Sequence, residues 1–412
     1  MGSPSITATQ EEAISLRPAD ETIAEDAQAL SAQLKAMRER LFPPTSQKTL
    51  RSFTSGEAAR LIGVSDGYLR QLSLAGEGPQ PKVGSGGRRF YTLSDIDALR
   101  HFLADQARAK GNEAKARSYV KWRDPARGEH LQIISVTNFK GGSGKTTSSV
   151  HLAQYLAMTG HRVLAVDLDP QASLSALFGY QPELDLVGND TIYGAIRYDG
   201  EVRPLKDIIR KTYFHNLDLL PGNLELQEFE HATPRALAER RAGDTHSLFF
   251  TRVQAALATV ADDYDVVIID CPPQLGYLSA LCASTSVLVT VHPQMLDVAS
   301  MSQFLFMTSD LLAVVREAGG QLNFDFLRYL VTRVEPHDGP QTQIVGFLRS
   351  LFGERVLTAP MLKSTAGLTK QTLYEVGREN FSRGTYDRAM ESLDAVNSEV
   401  EALIHTAWGR PA

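Results

Sequence analysis

Residues 131–147 read LQIISVTNFKGGSGKTT. An apolar run rich in β-branched residues (Ile133, Ile134, Val136) stops at Thr137 and Asn138. It gives way to Gly141, Gly142, Ser143 and Gly144, closed by Lys145, Thr146 and Thr147. A strand that runs into such a loop and then into a helix has the pattern of a phosphate-binding loop. Glycines let successive backbone N–H groups converge on phosphate oxygens with no Cβ in the way, and a helix starting near Lys145 points its positive end at the same anion. Lys145 can then reach the β/γ-phosphates while the Thr146 hydroxyl takes a place on Mg²⁺. The stretch therefore predicts an ATP/ADP site in an α/β domain.

Working outward, RVLAVDLDPQ (162–171) reads as a second buried strand that delivers Asp167 and Asp169 at its carboxyl end, where open α/β sheets bind ligands. YDVVIIDCPP (264–273) reads as a third strand ending in Asp270, a carboxylate suited to hold Mg²⁺ through water. Further strands are expected at 286–293, 326–334 and 354–361, separated by helical stretches at 295–318 and 340–352. Alternating strands and helices predict a mainly parallel sheet covered on both faces. Residues 179–245 look irregular, with an acidic stretch around Glu225 to Glu230.

Lys140, just upstream of the glycines, gives the string KGGSGKTT, which resembles the deviant Walker A group of P-loop ATPases that includes ParA partition ATPases and MinD. The resemblance implies that Lys140 reaches across a nucleotide-sandwich homodimer to the partner's phosphates. It also implies that Asp169 positions the attacking water, with Lys140 and Lys145 as the other catalytic groups. Asp167 and Asp270 then lie near the metal, and Thr332, Arg333, Pro360 and Met361 sit at strand ends where the family holds the base.

Ahead of this domain the text changes twice. Residues 1–50 combine a polar tail with a heptad seam, Ile23, Ala27, Leu30, Leu34, Met37 and Leu41, ended by Pro43 and Pro44. Three heptads are marginal alone, so this helix (about 20–42) either pairs with a second copy or packs on its own domain. In 51–108, Thr54 with Glu57 forms a capping box for a short helix, Gly63 makes a turn, and Ser65 caps a second helix. That second helix would offer Asp66, Tyr68, Arg70 and Gln71 to a major groove. Pro81 to Val83, a GSGG turn and Arg88 to Thr92 read as a wing with Arg88 and Arg89 at its tip, followed by a helix from Ser94 to about Lys110. The segment resembles the MerR-type winged helix-turn-helix. In its position ahead of the ATPase it is similar to large plasmid ParA proteins, the RepA type of repABC replicons in particular. Residues 51–130 carry 14 basic and 9 acidic side chains, a local charge of +5 in a chain whose net charge is −6. Residues 109–130 read as a basic linker into the ATPase domain, 131–412.

The C-terminal stretch from Lys363 to Arg388 carries Lys363, Lys370, Arg378 and Arg383, which the resemblance implies as contacts for non-specific DNA, salt-sensitive because they neutralise phosphates. The last helix has an acidic polar face (Glu391, Asp394, Glu399, Glu401), unlike a MinD-type membrane anchor, which needs cations facing lipid. With 43% hydrophobic and 22% charged residues the composition is that of a soluble globular chain, and two cysteines exclude a disulfide framework within one chain. No leader pattern and no run of 18 apolar residues was found, so a cytoplasmic, nucleoid-associated protein without a membrane partner is expected. Three classes compete. The first is a partition ATPase working with a ParB/RepB-type partner, non-specific nucleoid DNA and a specific operator through which it represses its own operon. The second is a MinD-like membrane-cycling ATPase, and the third is a transcription regulator with a regulatory nucleotide site. The acidic final helix disfavours the second, and the intact set Lys145, Thr146, Asp169 and Asp270 disfavours the third.

Overall fold

A computed structural model describes residues 18–41, 48–181, 185–198, 200–229, 231–232, 249–273, 276–317, 319–320, 322–363, 371–376 and 383–410. The chain divides into two units, Met1–Lys48 and Thr49–Ala412. Among the described residues the first holds the helix α1 (Ala19–Leu41), on which Ile23, Leu30 and Met37 are 67%, 62% and 56% exposed. Three of the six seam positions are thus solvent-exposed on this helix.

The second unit opens with the winged helix-turn-helix module. Its order is β1 (Phe53–Thr54), α2 (Ser55–Ile62), α3 (Asp66–Ala75), β2 (Lys82–Val83), β3 (Arg89–Tyr91) and α4 (Leu93–Ala109). The capping box forms as read: Thr54 Oγ1 accepts from Glu57 N, and Thr54 N donates to Glu57 at 2.8 Å. Ser65 Oγ accepts from Tyr68 N at 3.2 Å, and Gly63 ends α2 in the left-handed region that favours glycine. The three short strands pair antiparallel in the order β1-β3-β2. A second capping box, Thr92 with Asp95, starts α4.

The expected linker is structured. It carries α5 (Glu113–Tyr119), buries Ala116 and Tyr119, and is tied down by Arg117 to Glu129 (2.7 Å) and by Arg123 to the Tyr264 carbonyl (2.9 Å). Basic side chains of this linker find buried carboxylates and carbonyls, so the segment packs.

The larger sheet has the order β10-β9-β4-β8-β5-β7-β6. Its strands are β4 (Gln132–Thr137), β5 (Val163–Asp167), β6 (Arg210–Lys211), β7 (Leu217–Leu220), β8 (Val266–Asp270), β9 (Ser286–Val291) and β10 (Phe326–Val331). All neighbours run parallel except β6, which pairs antiparallel at the edge. The residues 354–361, read as a strand, make only isolated bridges, Tyr329 with Val356 and Val334 with Leu362 just beyond. The segment touches the sheet at two points and does not run as a strand along β10. Conversely, the stretch read as irregular supplies β6 and β7.

The helices are α6 (Lys145–Thr159), α7 (Ser173–Leu177), α8 (Ile192–Ile196), α9 (Leu205–Ile208), α10 (Phe249–Ala258), α11 (Tyr277–Ala283), α12 (Met295–Glu317), α13 (Gly339–Phe352) and α14 (Arg383–Ala407). Alternate strand residues feed two cores. Ile134, Val136, Val163 and Ala165 join α6 and α14 on one face; Ile133, Leu164, Val166 and Ile269 join Val253 of α10, Tyr277 of α11 and Phe304 of α12 on the other. The first core continues into the winged helix-turn-helix module through Phe53, Ile62, Leu69 and Ile96. Arg100 of α4, only 2% exposed, fastens that junction by donating to the carbonyls of Leu61, at the end of α2, and Met158, in the last turn of α6. By length and composition α12 could cross a bilayer, which the sequence reading did not anticipate; its Met301, Phe304 and Thr308 are buried in the protein.

Candidate functional site

The site lies at the carboxyl ends of β4, β5, β8, β9 and β10, where the parallel strands deliver their following loops. Strand β4 is buried along its whole length and ends at Thr137, and α6 starts at Lys145. Between them Gly142 and Gly144 take φ of 76° and 92°, a conformation open to glycine and strained for other residues. A Cβ on Gly144 would also sit 3.3 Å from Thr332. Asn138 accepts from Lys140 N at 2.9 Å, and the Ser143 hydroxyl lies 3.0 Å from that of Thr290 on β9. These contacts hold the backbone of the loop 141–147 in place between β4 and α6.

Lys145 is buried at the head of α6 and donates to the Lys140 carbonyl at 3.2 Å. Burial lowers its pKa, and nearby Asp270 opposes that shift. The neighbouring Asp167 and Asp270 are partners in the β5/β8 register, and both are fully buried. Burial pushes Asp270 up to about 7; its Oδ1 accepts from Ser149 Oγ at 3.0 Å, and its Oδ2 has no hydrogen-bond partner. A buried carboxylate oxygen without a partner beside the lysine and threonine of the loop fits a divalent cation, which Asp270 and Thr146 would hold. Asp167 differs. Burial, with Asp270 next to it, raises its pKa to about 8, but its Oδ2 accepts both the N–H and the hydroxyl of Ser175 at 2.7 Å, tying it to α7. Asp169 is partly exposed and accepts from Gln171 N at 2.9 Å.

Lys140 is held in its own chain. Its Nζ lies 2.9 Å from Asp297 Oδ2 in the first turn of α12, and His292 Nδ1 is 3.8 Å from the same oxygen. The sequence reading missed Asp297, although a carboxylate one turn past the end of a parallel strand was the available signal. The residues expected near the base touch the loop itself. Thr332 Oγ1 donates to the Ser143 carbonyl at 2.6 Å, and Arg333 Nη1 donates to the Gly142 carbonyl at 2.9 Å. Met361 is buried with its sulfur 3.8 Å from Ser148 Oγ of α6, and the Pro360 carbonyl accepts from Ser392.

On the winged helix-turn-helix module, Tyr68, Arg70 and Gln71 of α3 and Arg88 of the wing turn are exposed. Arg89 is not at the tip: it lies on β3, half-buried, and donates to Ser73 Oγ of α3 at 3.1 Å, tying wing to helix. Lys363 pairs with Glu335 at 2.7 Å. Lys370 and Arg378 lie outside the described residues, and Arg383 is the first residue of α14.

A parallel sheet whose first strand runs into a glycine loop, with Lys145 and Asp270 around it and Lys140 beside it, defines a P-loop NTPase of the deviant Walker A kind. Residues 131–317 match an AAA domain family, AAA_31, and residues 53–104 match the MerR HTH family of regulatory proteins. The chain is 58% identical to a Rhizobium rhizogenes protein named replication protein A, over 93% of this chain and 94% of that one. It is 30% identical to protein SopA of Escherichia coli K12, over 89% and 92%. Cobyrinic acid a,c-diamide synthase from Mycobacterium smegmatis, solved with a bound ATP analogue and magnesium, superimposes with a TM-score of 0.51 at 26% identity, covering 68% of this chain and 97% of that one. The chain belongs to the ParA/Soj/SopA-like family of partition ATPases, in the company of the repABC replication proteins A.

Proposed function

We propose that this chain is a plasmid or chromosome partition ATPase that binds ATP with Mg²⁺, dimerises around two nucleotides, and hydrolyses ATP slowly until a ParB/RepB-type partner accelerates it. The observation that carries the reading is a buried Asp270, close enough to the loop lysine Lys145 to act on its charge, whose Oδ2 has no hydrogen-bond partner and so is free for a metal-bound water. In this reading Lys140 leaves Asp297 to meet the partner's phosphates, and Asp169, the more accessible carboxylate, orients the attacking water. Asp167 serves the metal indirectly, through α7. The exposed face of α3 and Arg88 reads an operator, which accounts for repression of the chain's own operon. The basic stretch Lys363 to Arg383 holds nucleoid DNA in the ATP dimer. The exposed seam of α1 supports a second contact between the two copies.

The test is a pair of substitutions followed by nucleotide titration and light scattering. Lys145→Ala should abolish ATP and ADP binding, whereas Lys140→Ala should retain binding and lose ATP-dependent dimerisation. Normal dimerisation of Lys140→Ala with ATP would refute the cross-site role. Vesicle flotation with ATP separates this reading from a membrane-cycling ATPase.

A further inference from the structure

We propose that Thr332 and Arg333 form a clamp that presets the phosphate loop before nucleotide arrives. In a planar trans peptide the C=O and the following N–H point in opposite directions, so holding a carbonyl on one side aims the next amide at the other. Thr332 Oγ1 holds the carbonyl of Ser143 and Arg333 Nη1 holds that of Gly142. The amides set by these two contacts are those of Gly144 and Ser143, two consecutive donors of the loop. The clamp thus fixes the direction of the groups that must meet phosphate oxygens.

Two adjacent residues at a strand end should not reach the same loop, because side chains alternate between faces. Thr332 still pairs with β9, its N–H donating to the Val291 carbonyl at 2.8 Å. Arg333 then takes φ of 56°, one of four non-glycine residues with positive φ among the described residues. That left-handed turn breaks the alternation and lets the guanidinium reach the same loop as Thr332. Asparagine or glycine would adopt the conformation at less cost, so an arginine there has a use for its side chain. Gly144 completes the fit, since a Cβ there would meet Thr332 at 3.3 Å. Both residues therefore act as positioning residues on the loop backbone, through the carbonyls of Ser143 and Gly142.

The clamp rests on the reading of 141–147 as the phosphate loop, and its test separates the two. ADP and ATP affinities are measured by calorimetry on the full chain for wild type, Lys145→Ala, Thr332→Val, Thr332→Ser and Arg333→Ala. Amide exchange across 139–146 is followed in the nucleotide-free protein. Thr332→Val and Arg333→Ala should each weaken both nucleotides about five- to tenfold, the size of one lost hydrogen bond. Exchange at Ser143 and Gly144 should quicken, any fall in melting temperature should be no larger than one lost hydrogen bond gives, and Thr332→Ser should bind as wild type does. If wild type binds no adenine nucleotide, the loop reading fails and the clamp with it. If wild type binds, Lys145→Ala does not, and both clamp variants keep wild-type affinity and exchange, the clamp alone is wrong. A lowered melting temperature with unchanged affinity overturns it equally, by showing a merely structural role.

Discussion

Acidification should weaken this fold through one histidine on the P-loop helix. His151 lies in the second turn of α6; its Nε2 accepts from the backbone N–H of Leu373 at 3.2 Å, so its proton is on Nδ1, which donates to the Thr147 carbonyl at 2.7 Å. Burial pushes its pKa down to about 4, whereas an unfolded chain takes up that proton near 6.5. Between those values the unfolded state binds more protons than the native one. The stability contributed by the neutral ring is therefore complete above pH 6.5 and is lost as pH falls towards 4. The two values give a loss of about 2 kcal/mol at pH 5 and about 3 kcal/mol at pH 4, relative to pH 7.5. Urea unfolding at these pH values, followed by circular dichroism and by tryptophan fluorescence, measures it. His151→Gln keeps a donor and an acceptor but cannot titrate, so the variant should lose about 2 kcal/mol less than wild type between pH 7.5 and 5. His405, also pushed to about 4 by burial and by His161, keeps its own similar share in both proteins. Equal pH slopes in variant and wild type would refute the reasoning.

Asp297→Asn removes the carboxylate that holds Lys140 in its own chain, so ATP-dependent dimerisation should tighten while monomer affinity for nucleotide stays the same; a dimer fraction unchanged from wild type in sedimentation velocity would count against the contact having a role. Arg100→Met leaves the carbonyls of Leu61 and Met158 without their donor and should cost about 2–4 kcal/mol in thermal or urea unfolding. Leu30→Lys, at a position 62% exposed, should change monomer stability by no more than about 0.5 kcal/mol yet lower the dimer fraction in light scattering. Arg70→Ala and Arg88→Ala should each weaken binding to the operator fragment upstream of the gene, and full affinity in both would remove this surface from the reading.

The nucleotide loop was legible because its constraints are local: strand, glycines, lysine and helix follow one another within 17 residues, and local order decides them. The capping box at Thr54 and the Ser65 cap were legible for the same reason. What stayed hidden depends on residues far apart in the chain. The partner of Lys140 is Asp297, more than 150 residues on, and the braces on Gly142 and Ser143 come from the end of β10. Arg89 was placed at the wing tip by counting, whereas its bond to Ser73 depends on how the hairpin lies on α3. That the linker is structured was not legible either, because the groups that capture Arg117 and Arg123 are brought to them by the fold and are not visible from composition.

Arg100 gives the two modules a shared fastening. One guanidinium closes the last turn of α6, whose first residue is Lys145, and holds the end of α2 in the same grip. A chimera that replaces residues 53–104 with another helix-turn-helix module would strip the P-loop helix of its terminal cation, and so would disturb the nucleotide site while appearing to exchange only the N-terminal module. Such a graft keeps the nucleotide site intact only if the incoming module presents an arginine to the carbonyl of Met158.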